Sequence, residues 1–281
     1  MIPISNITDV VELRTWAQDQ TYSVSALKED LEAALPLNEA KTPEDYAREV
    51  FEELGQRARL LGAAYPFDTD GVTLSPNNRK SDSSYLFCLA MNFFDDIPIR
   101  IRSPEFEGLV KIAAEKYFRG RGIRIGAPWK TGTITDYRVL LQMVSDLIPD
   151  IGPPLREAAP SGGDAGWDVV IVNNFADKKF SRIIVLGNRA TGRTNWLSKG
   201  METQPTFFWR FFTNPPTDIN ACLTFLAVPF LMTDEEKQRK TAATCITLDR
   251  IRICEHAPSA SGAAMRWVEK HRSDALDVPL I

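Results

Sequence analysis

The fold that the sequence predicts depends most on two neighbouring segments. They are Gly163-Asp-Ala-Gly-Trp-Asp-Val-Val-Ile-Val172 and Arg182-Ile-Ile-Val-Leu-Gly-Asn-Arg189. Each part contains a short apolar run bounded by glycine or polar residues, which is typical of a buried strand. A polar turn over residues 173–179 joins the two runs, so the pair indicates a β-hairpin. An acid, Asp168, stands where the glycine-bearing turn enters the first strand.

Helical patterns come before this hairpin, and further apolar strands follow it. Residues 103–117 place apolar side chains on one helical face, a short strand is indicated over residues 123–126, and a second helix over residues 137–148. Strands are indicated near residues 223–230 and 245–254. This order predicts an α/β protein with a mixed β-sheet flanked by helices.

The first part of the chain has a mainly helical pattern. Thr42-Pro-Glu-Asp45 supplies a capping threonine, a proline at the first helical position and an acid at the third, and apolar residues then recur at helical spacing to about Leu61. We therefore predict two regions. Residues 1–102 form a helical N-terminal region with a role in partner binding or regulation, and residues 103–281 form the mixed α/β core.

Composition restricts the class of protein. The 281 residues are 44% hydrophobic and 25% charged, with a mean hydropathy of -0.20, as in ordinary globular proteins. The chain begins without the basic and apolar segments of a secretory signal, and its longest apolar run, residues 222–232, falls short of the roughly 18 residues of a membrane helix. Four cysteines without a Cys-x-x-Cys pair suit a reducing cytosol. We expect a cytoplasmic protein that does not contact a membrane, and its two histidines are too few for a histidine-rich metal site.

Basic residues are concentrated in two places although the formal net charge is -4. One strip has six basic residues and no acidic one: Lys178, Lys179, Arg182, Arg189, Arg193 and Lys199. A second group flanks a glycine-rich turn: Lys116, Arg119, Arg121, Arg124 and Lys130. Such clusters can neutralise the phosphates of a nucleic acid, and a solvated positive face is the alternative.

The hairpin carries the residue types that phosphodiester hydrolysis needs. Asp164 and Asp168 can bind a hard cation such as Mg²⁺, and Asn188 can add a neutral carbonyl oxygen. Lys199, on a helix expected after the second strand, can polarise the attacking water or stabilise the charge that develops on the phosphate. Glu107, near the start of its helix, is an acid that can face the same cleft.

Each of these residues also has an ordinary structural explanation. The two aspartates can bond their own backbone in a turn before a strand, and Glu107 stands where the helix dipole favours any acid. Asn188 can simply end a strand, and Lys199 alone is a surface lysine. Their joint order and spacing favours a nuclease. The sequence has neither a P-loop, nor a dinucleotide-binding glycine motif, nor the serine elbow of a hydrolase.

The segment from Glu107 to Lys199 resembles the restriction-endonuclease-like, or PD-(D/E)XK, nuclease superfamily, in particular a branch associated with bacterial antiphage and restriction systems. In that branch a helix with Phe-Glu precedes a Gly-x-Asp-Val-Val strand, and the next strand ends in Gln-Cys-Ala-x-Gly-x-x-Trp-x-x-Lys. This chain has Gly-Trp-Asp168-Val-Val and Ala-Thr-Gly192-x-x-x-Trp196-x-x-Lys199. The likeness covers roughly residues 103–252.

The resemblance implies a role for each matching residue. Asp168 matches the metal-binding acid, Glu107 the acid on the preceding helix, and Lys199 the lysine. Asn188 stands where the branch has glutamine, and Arg189 where it often has cysteine. Trp196 follows after one additional residue.

The resemblance therefore predicts Mg²⁺-dependent hydrolysis of DNA, with Mn²⁺ as an alternative cation, by an effector of bacterial antiphage defence. The expected catalytic residues are Asp168, Lys199, Glu107 and Asn188, and the expected cation ligands are Asp168, Asp164 and Glu107. The expected nucleic-acid-binding residues are Lys178, Lys179, Arg182, Arg189 and Arg193. RNA is a less favoured substrate, and the expected partners are other subunits of a defence system or further copies of the chain. The alternative is a catalytically inactive subunit with a nuclease fold that binds nucleic acid or a partner.

Overall fold

The computed structural model divides into two compact units, Met1–Ile97 with Pro258–Ile281, and Pro98–Ala257. The residues that the structure describes are 2–36, 41–77, 82–96, 98–127, 136–156, 166–177, 182–192, 196, 205–216, 222–242 and 245–281. Among the helices of these segments, none combines the length and the apolarity that crossing a lipid bilayer requires.

The helices and strands are numbered in chain order. The helices are α1 (Ile4–Gln18), α2 (Val24–Ala34), α3 (Pro43–Leu61), α4 (Ser84–Met91), α5 (Ile99–Tyr117), α6 (Tyr137–Leu147), α7 (Pro205–Trp209), α8 (Asp234–Ala242), α9 (Arg250–His256) and α10 (Gly262–Lys270). The strands are β1 (Tyr22–Ser23), β2 (Phe67–Thr69), β3 (Thr73–Pro76), β4 (Arg121–Arg124), β5 (Val169–Asn173), β6 (Ile183–Arg189), β7 (Leu223–Ala227) and β8 (Cys245–Leu248).

The first unit is mainly helical and includes a small antiparallel sheet in the order β1-β3-β2. The predicted cap of α3 is present, because the Thr42 side chain accepts a hydrogen bond from the Asp45 N–H. The Asp70-Gly71 turn joins β2 and β3: Asp70 Oδ1 accepts from the main-chain N–H of Thr73 at 2.7 Å, and Gly71 has a φ of 93°. Glycine adopts this left-handed conformation without steric cost.

The C-terminal residues belong to the first unit, whereas the sequence placed them in the second region. Pro258 is paired through its carbonyl oxygen, which accepts from the Ser84 N–H at 3.0 Å. On α10, the Trp267 ring packs edge-on against Phe87 of α4, with 6.0 Å between ring centroids. These contacts join residues far apart in sequence, so a local pattern does not reveal them.

The second unit contains a five-stranded mixed sheet in the order β4-β5-β6-β7-β8. Strands β4, β5 and β6 form an antiparallel meander, and β7 and β8 continue from β6 in parallel. The predicted hairpin is therefore present, with Val169 opposite Gly187 and Asn173 opposite Ile183. The sheet confirms the predicted fold class.

Helices cover the two faces of this sheet. A side chain at Gly122 on β4 would meet Lys111 and Glu115 of α5, so α5 covers that face. The next residue, Ile123, points to the other face because side chains alternate along a strand, and it joins a core with Leu140 and Leu141 of α6.

Several predicted boundaries were wrong. The strand predicted over residues 123–126 is Arg121–Arg124, and the strand predicted near residues 223–230 ends at Ala227. The strand predicted over residues 245–254 ends at Leu248, and α9 begins after Asp249, whose side chain accepts from the Arg252 N–H and caps the helix. The helix predicted to start at Ser103-Pro104 begins earlier, after Pro98, and contains Pro104.

Candidate active site

Asp168 is fixed by main-chain hydrogen bonds on both sides, immediately before β5. Its N–H donates to the Gly187 carbonyl at 2.9 Å, and its own carbonyl accepts from the N–H groups of Ile125 and Gly126 at 2.8 and 3.0 Å. Gly166, two residues earlier, has a φ of 81°, which explains the glycine of the motif. The predicted acid therefore occupies a rigid position between β4 and β6.

Glu107 comes from α5 and reaches the same place. It is completely buried, at 0% exposure. A Cβ atom added to Gly126 would lie 2.5 Å from Asp168 Oδ1 and 2.9 Å from Glu107 Oε2. The two carboxylates therefore both lie close to Gly126, where a side chain would collide with them.

Two arginines neutralise the buried carboxylate of Glu107. Arg189 donates from Nε to Oε1 at 2.9 Å, and Arg124 donates from Nη1 to Oε2 at 2.8 Å. The main-chain N–H of Arg189 also donates to Asp168 Oδ2 at 2.8 Å. A buried charge is costly unless it is paired, so these contacts explain how Glu107 is tolerated in the interior.

Asn188 is 6% exposed and lies on β6 beside Leu226 of β7. Because side chains alternate along a strand, Asn188 and Arg189 point to opposite faces of the sheet. Arg189 is the residue whose side chain meets Glu107. The structure thus brings together Asp168, Glu107 and Arg189 among the predicted residues, and the antiparallel register places Asn188 of β6 opposite Asp168.

Arg182 lies at the other end of the hairpin from Asp168, because it precedes the β6 residue that pairs with the last residue of β5. Its side chain is 4% exposed and pairs with Asp150 at 2.6 Å. Trp196 is 3% exposed and packs against Phe230 at 5.9 Å, as a core residue does. Five predicted site residues lie outside the described residues: Asp164, Lys178, Lys179, Arg193 and Lys199.

Sequence reasoning missed Arg124 and Gly126 as site residues. It treated Arg124 only as one member of a basic group and Gly126 only as the end of a short strand. Their spacing was the available signal, since two residues apart along an extended segment they share a face. Both meet the Glu107 carboxylate on that face.

The donor set fits a hard divalent cation in chemistry, since it offers two carboxylates with oxygens directed into one space. Within the described segments, no group of three or more His, Cys, Asp or Glu residues converges to hold a metal ion. The described part of a cation site therefore consists of Asp168 and Glu107, with the two arginines beside them.

Lys240 of α8 is a further buried ionisable residue of this unit. Its ammonium lies 5.6 Å from the centroid of the Trp196 ring, and its side chain is 4% exposed. Burial lowers the pKa of Lys240 below its usual value. No sequence pattern singled out Lys240.

No protein-family model matches the chain, and no curated protein matches it. Among solved structures, the chain is similar to the MspJI restriction endonuclease in complex with a 27-mer oligonucleotide, at 12% sequence identity and a TM-score of 0.31. The match covers 69% of this chain and 35% of the endonuclease chain.

Proposed function

We propose that this chain is a nuclease that hydrolyses DNA phosphodiesters with the help of a divalent cation. The observation that carries the proposal is the convergence of Asp168 Oδ1 and Glu107 Oε2 beside Gly126. Two acids from distant parts of the chain meet at the entrance of a rigid hairpin, and an arginine of the same hairpin contacts both. Structural roles alone do not require this meeting.

Asp168 and Glu107 are the proposed cation ligands, with Asp164 as a third. Mg²⁺, or Mn²⁺ in its place, supplies a water of lowered pKa and a positive charge for the phosphate oxygens. The main-chain N–H of Arg189 orients the Asp168 carboxylate. Lys199 is the proposed cation that faces the charge developing on the phosphate, and Asn188 is kept as a fourth catalytic candidate.

DNA is the proposed substrate, held through its backbone by the basic strip that ends at Lys199, apart from Arg182, whose buried side chain pairs with Asp150. Protein cations that face phosphates release condensed counterions, which gives affinity without sequence specificity. An antiphage effector role follows from the resemblance of the sequence motifs, and so does assembly with other defence subunits.

A second candidate function has its own observation. Both oxygens of Glu107 already accept from guanidinium groups. In an inactive descendant of a nuclease, arginine cations can neutralise an acid that once held a metal ion. The second candidate is therefore a non-catalytic module that binds nucleic acid or a partner.

A cleavage assay separates the two candidates. Supercoiled plasmid, linear duplex, single-stranded DNA and RNA are incubated with Mg²⁺, with Mn²⁺ or with EDTA. Wild type is compared with Asp168→Asn and Glu107→Gln, and the matched control is Asp146→Asn, an exposed acid of α6. Circular dichroism checks that each variant is folded.

The nuclease proposal predicts cleavage by wild type and by Asp146→Asn that needs a divalent cation, and its loss in the other two variants. Equal cleavage by all four proteins would reveal a contaminating nuclease and sink the proposal. Binding of nucleic acid by wild type without any cleavage would establish the second candidate. A preference for RNA would correct the substrate alone.

A further inference from the structure

Among the residues that the structure describes, four charged groups of the second unit form a cluster whose charges balance without a metal ion. Glu107 and Asp168 contribute two negative charges, and Arg124 and Arg189 contribute two positive charges. The arginines come from β4 and β6, the two strands that flank β5. Adding a divalent cation alone would leave the cluster with excess positive charge in a largely buried place, which is unfavourable.

The two arginines are nevertheless accessible from outside. Each arginine side chain is 16% exposed, whereas Glu107 between them is 0% exposed. A guanidinium has five N–H donors in a planar fork that matches the oxygens of a phosphate. Arg124 and Arg189 therefore have partly exposed side chains while they pair with the buried carboxylate.

We propose that Arg124 and Arg189 form a phosphate-binding subsite that couples nucleic-acid binding to cation binding. A backbone phosphate takes over the two guanidiniums from Glu107, and the released carboxylate then binds the cation together with Asp168. This inference rests on the proposed function, because it requires a cation site at Glu107 and Asp168.

The local contacts permit this exchange without a change of fold. Asp168 is bound by the main-chain N–H of Arg189, so it keeps its position when the Arg189 side chain changes partner. Gly126 has no side chain, so it leaves space beside both carboxylates. The movement involves the ends of two arginine side chains and one carboxylate, and Arg124 also donates to the Gly126 carbonyl at 3.2 Å.

The charges require the coupling to be mutual. A phosphate that engages the arginines lowers the positive potential that opposes the cation, and a bound cation removes the carboxylate that competes for the arginines. By thermodynamic linkage each ligand raises the affinity for the other by the same factor, typically about 5- to 150-fold.

Mn²⁺ binding measured by electron paramagnetic resonance tests the coupling. The probe is Mn²⁺ alone or with a phosphorothioate DNA duplex, which keeps its charge and resists hydrolysis. For wild type we expect the duplex to tighten Mn²⁺ binding by about tenfold or more. No difference between the two titrations would overturn the inference, and this comparison needs no variant to be stable.

Arginine variants supply a signature that a merely structural role would not produce. In Arg124→Gln and Arg189→Gln, Mn²⁺ is expected to bind more tightly than in wild type when DNA is absent, and the effect of the duplex is expected to shrink. Arg239→Gln, at an exposed arginine of α8 outside both basic groups, is the matched control and should behave like wild type. Weaker Mn²⁺ binding by both site variants would contradict the inference.

The two proposals fail separately. If cleavage requires a cation but DNA does not change the affinity for Mn²⁺, the proposed coupling is wrong and the proposed nuclease activity stands. Coupled binding of Mn²⁺ and DNA without cleavage of any substrate would sink the nuclease and leave the coupling intact.

Discussion

The main-chain N–H of Arg189 donates to Oδ2 of Asp168 across 2.8 Å, at the point where β6 ends beside the start of β5. The side chain of the same arginine pairs with Glu107 at 2.9 Å. One residue thus orients both acids of the candidate site, the first through the backbone and the second through the guanidinium. Substitution at Arg189 should therefore disturb Glu107 more than Asp168.

A methyl group at Gly126 should disable the site while the fold survives. In Gly126→Ala the new Cβ would meet Asp168 Oδ1 at 2.5 Å and Glu107 Oε2 at 2.9 Å, so both carboxylates must shift. Misplacement of reacting groups by about 1 Å can cost about 100-fold in rate. We predict a loss of that order in cleavage, measured as initial rates with Mg²⁺.

Gly108→Ala is the matched control for that experiment. Gly108 lies next to Glu107 on α5, and an added Cβ there meets nothing within 4 Å. Replacing glycine by alanine inside a helix contributes roughly 0.5–1 kcal/mol of stability. Unchanged cleavage by Gly126→Ala, or an equal loss in Gly108→Ala, would show that the space beside Gly126 is irrelevant to catalysis.

Gly187→Ala should destabilise the second unit through the sheet. A Cβ at Gly187 would lie 1.9 Å from Cζ of Phe225, which is 1% exposed on the neighbouring β7. Such overpacking typically costs about 1–3 kcal/mol, measured as the free energy of unfolding in urea. In a double-mutant cycle, Phe225→Leu should recover part of the loss. Additive effects of the two substitutions would argue against this packing.

Arg57→Met should strongly destabilise the first unit. The Arg57 guanidinium pairs with Asp9 and Glu12 at 2.7 Å each, and all three side chains are almost fully buried. Removing one partner of a buried ion pair costs about 3–5 kcal/mol because it leaves unpaired charge in the interior. Arg48→Met, on the same helix but 66% exposed, should cost less than about 0.5 kcal/mol. Similar unfolding free energies for the two variants would contradict the prediction.

Tyr65 should make the first unit sensitive to alkaline pH. Burial and the negative charge of Glu12 raise the pKa of Tyr65 well above its usual value. Its stabilising contribution is therefore complete below the unfolded pKa of about 10 and is lost as the pH rises above that value, by up to about 1.4 kcal/mol per pH unit. The difference in unfolding free energy between wild type and Tyr65→Phe should shrink between about pH 9 and pH 11. A constant difference over that range would refute this.

Local patterns predicted the elements that position the two acids. The apolar runs of the hairpin predicted β5 and β6, and the apolar face of residues 137–148 predicted α6, which begins after the Asp136 cap. Asp168 was predicted at the entrance of a strand and Glu107 on a helix, and both are there. Such signals succeed because they depend on neighbours within a few residues.

The features of the fold and the site that were not predicted depend on tertiary contacts, or on local sequence signals that favour different structures. Residues 250–253 alternate between arginine and isoleucine, a pattern that predicts a strand. In the structure they begin helix α9, which Asp249 caps. The pairing of Arg124 with Glu107 requires β4 to lie under α5, which no local pattern states. In the same way, the contact between Arg189 and Glu107 joins residues that are 82 positions apart in the sequence.

Locating a bound cation would test the proposed site at Asp168 and Glu107 most directly. Crystals of the protein with Mn²⁺ and a phosphorothioate DNA duplex would give an anomalous difference map that locates the metal. We expect an anomalous peak at a Mn²⁺ ion bound by Asp168 and Glu107, with Arg124 and Arg189 contacting a backbone phosphate. A map without a peak beside Asp168, and with Glu107 still paired to both arginines, would contradict it.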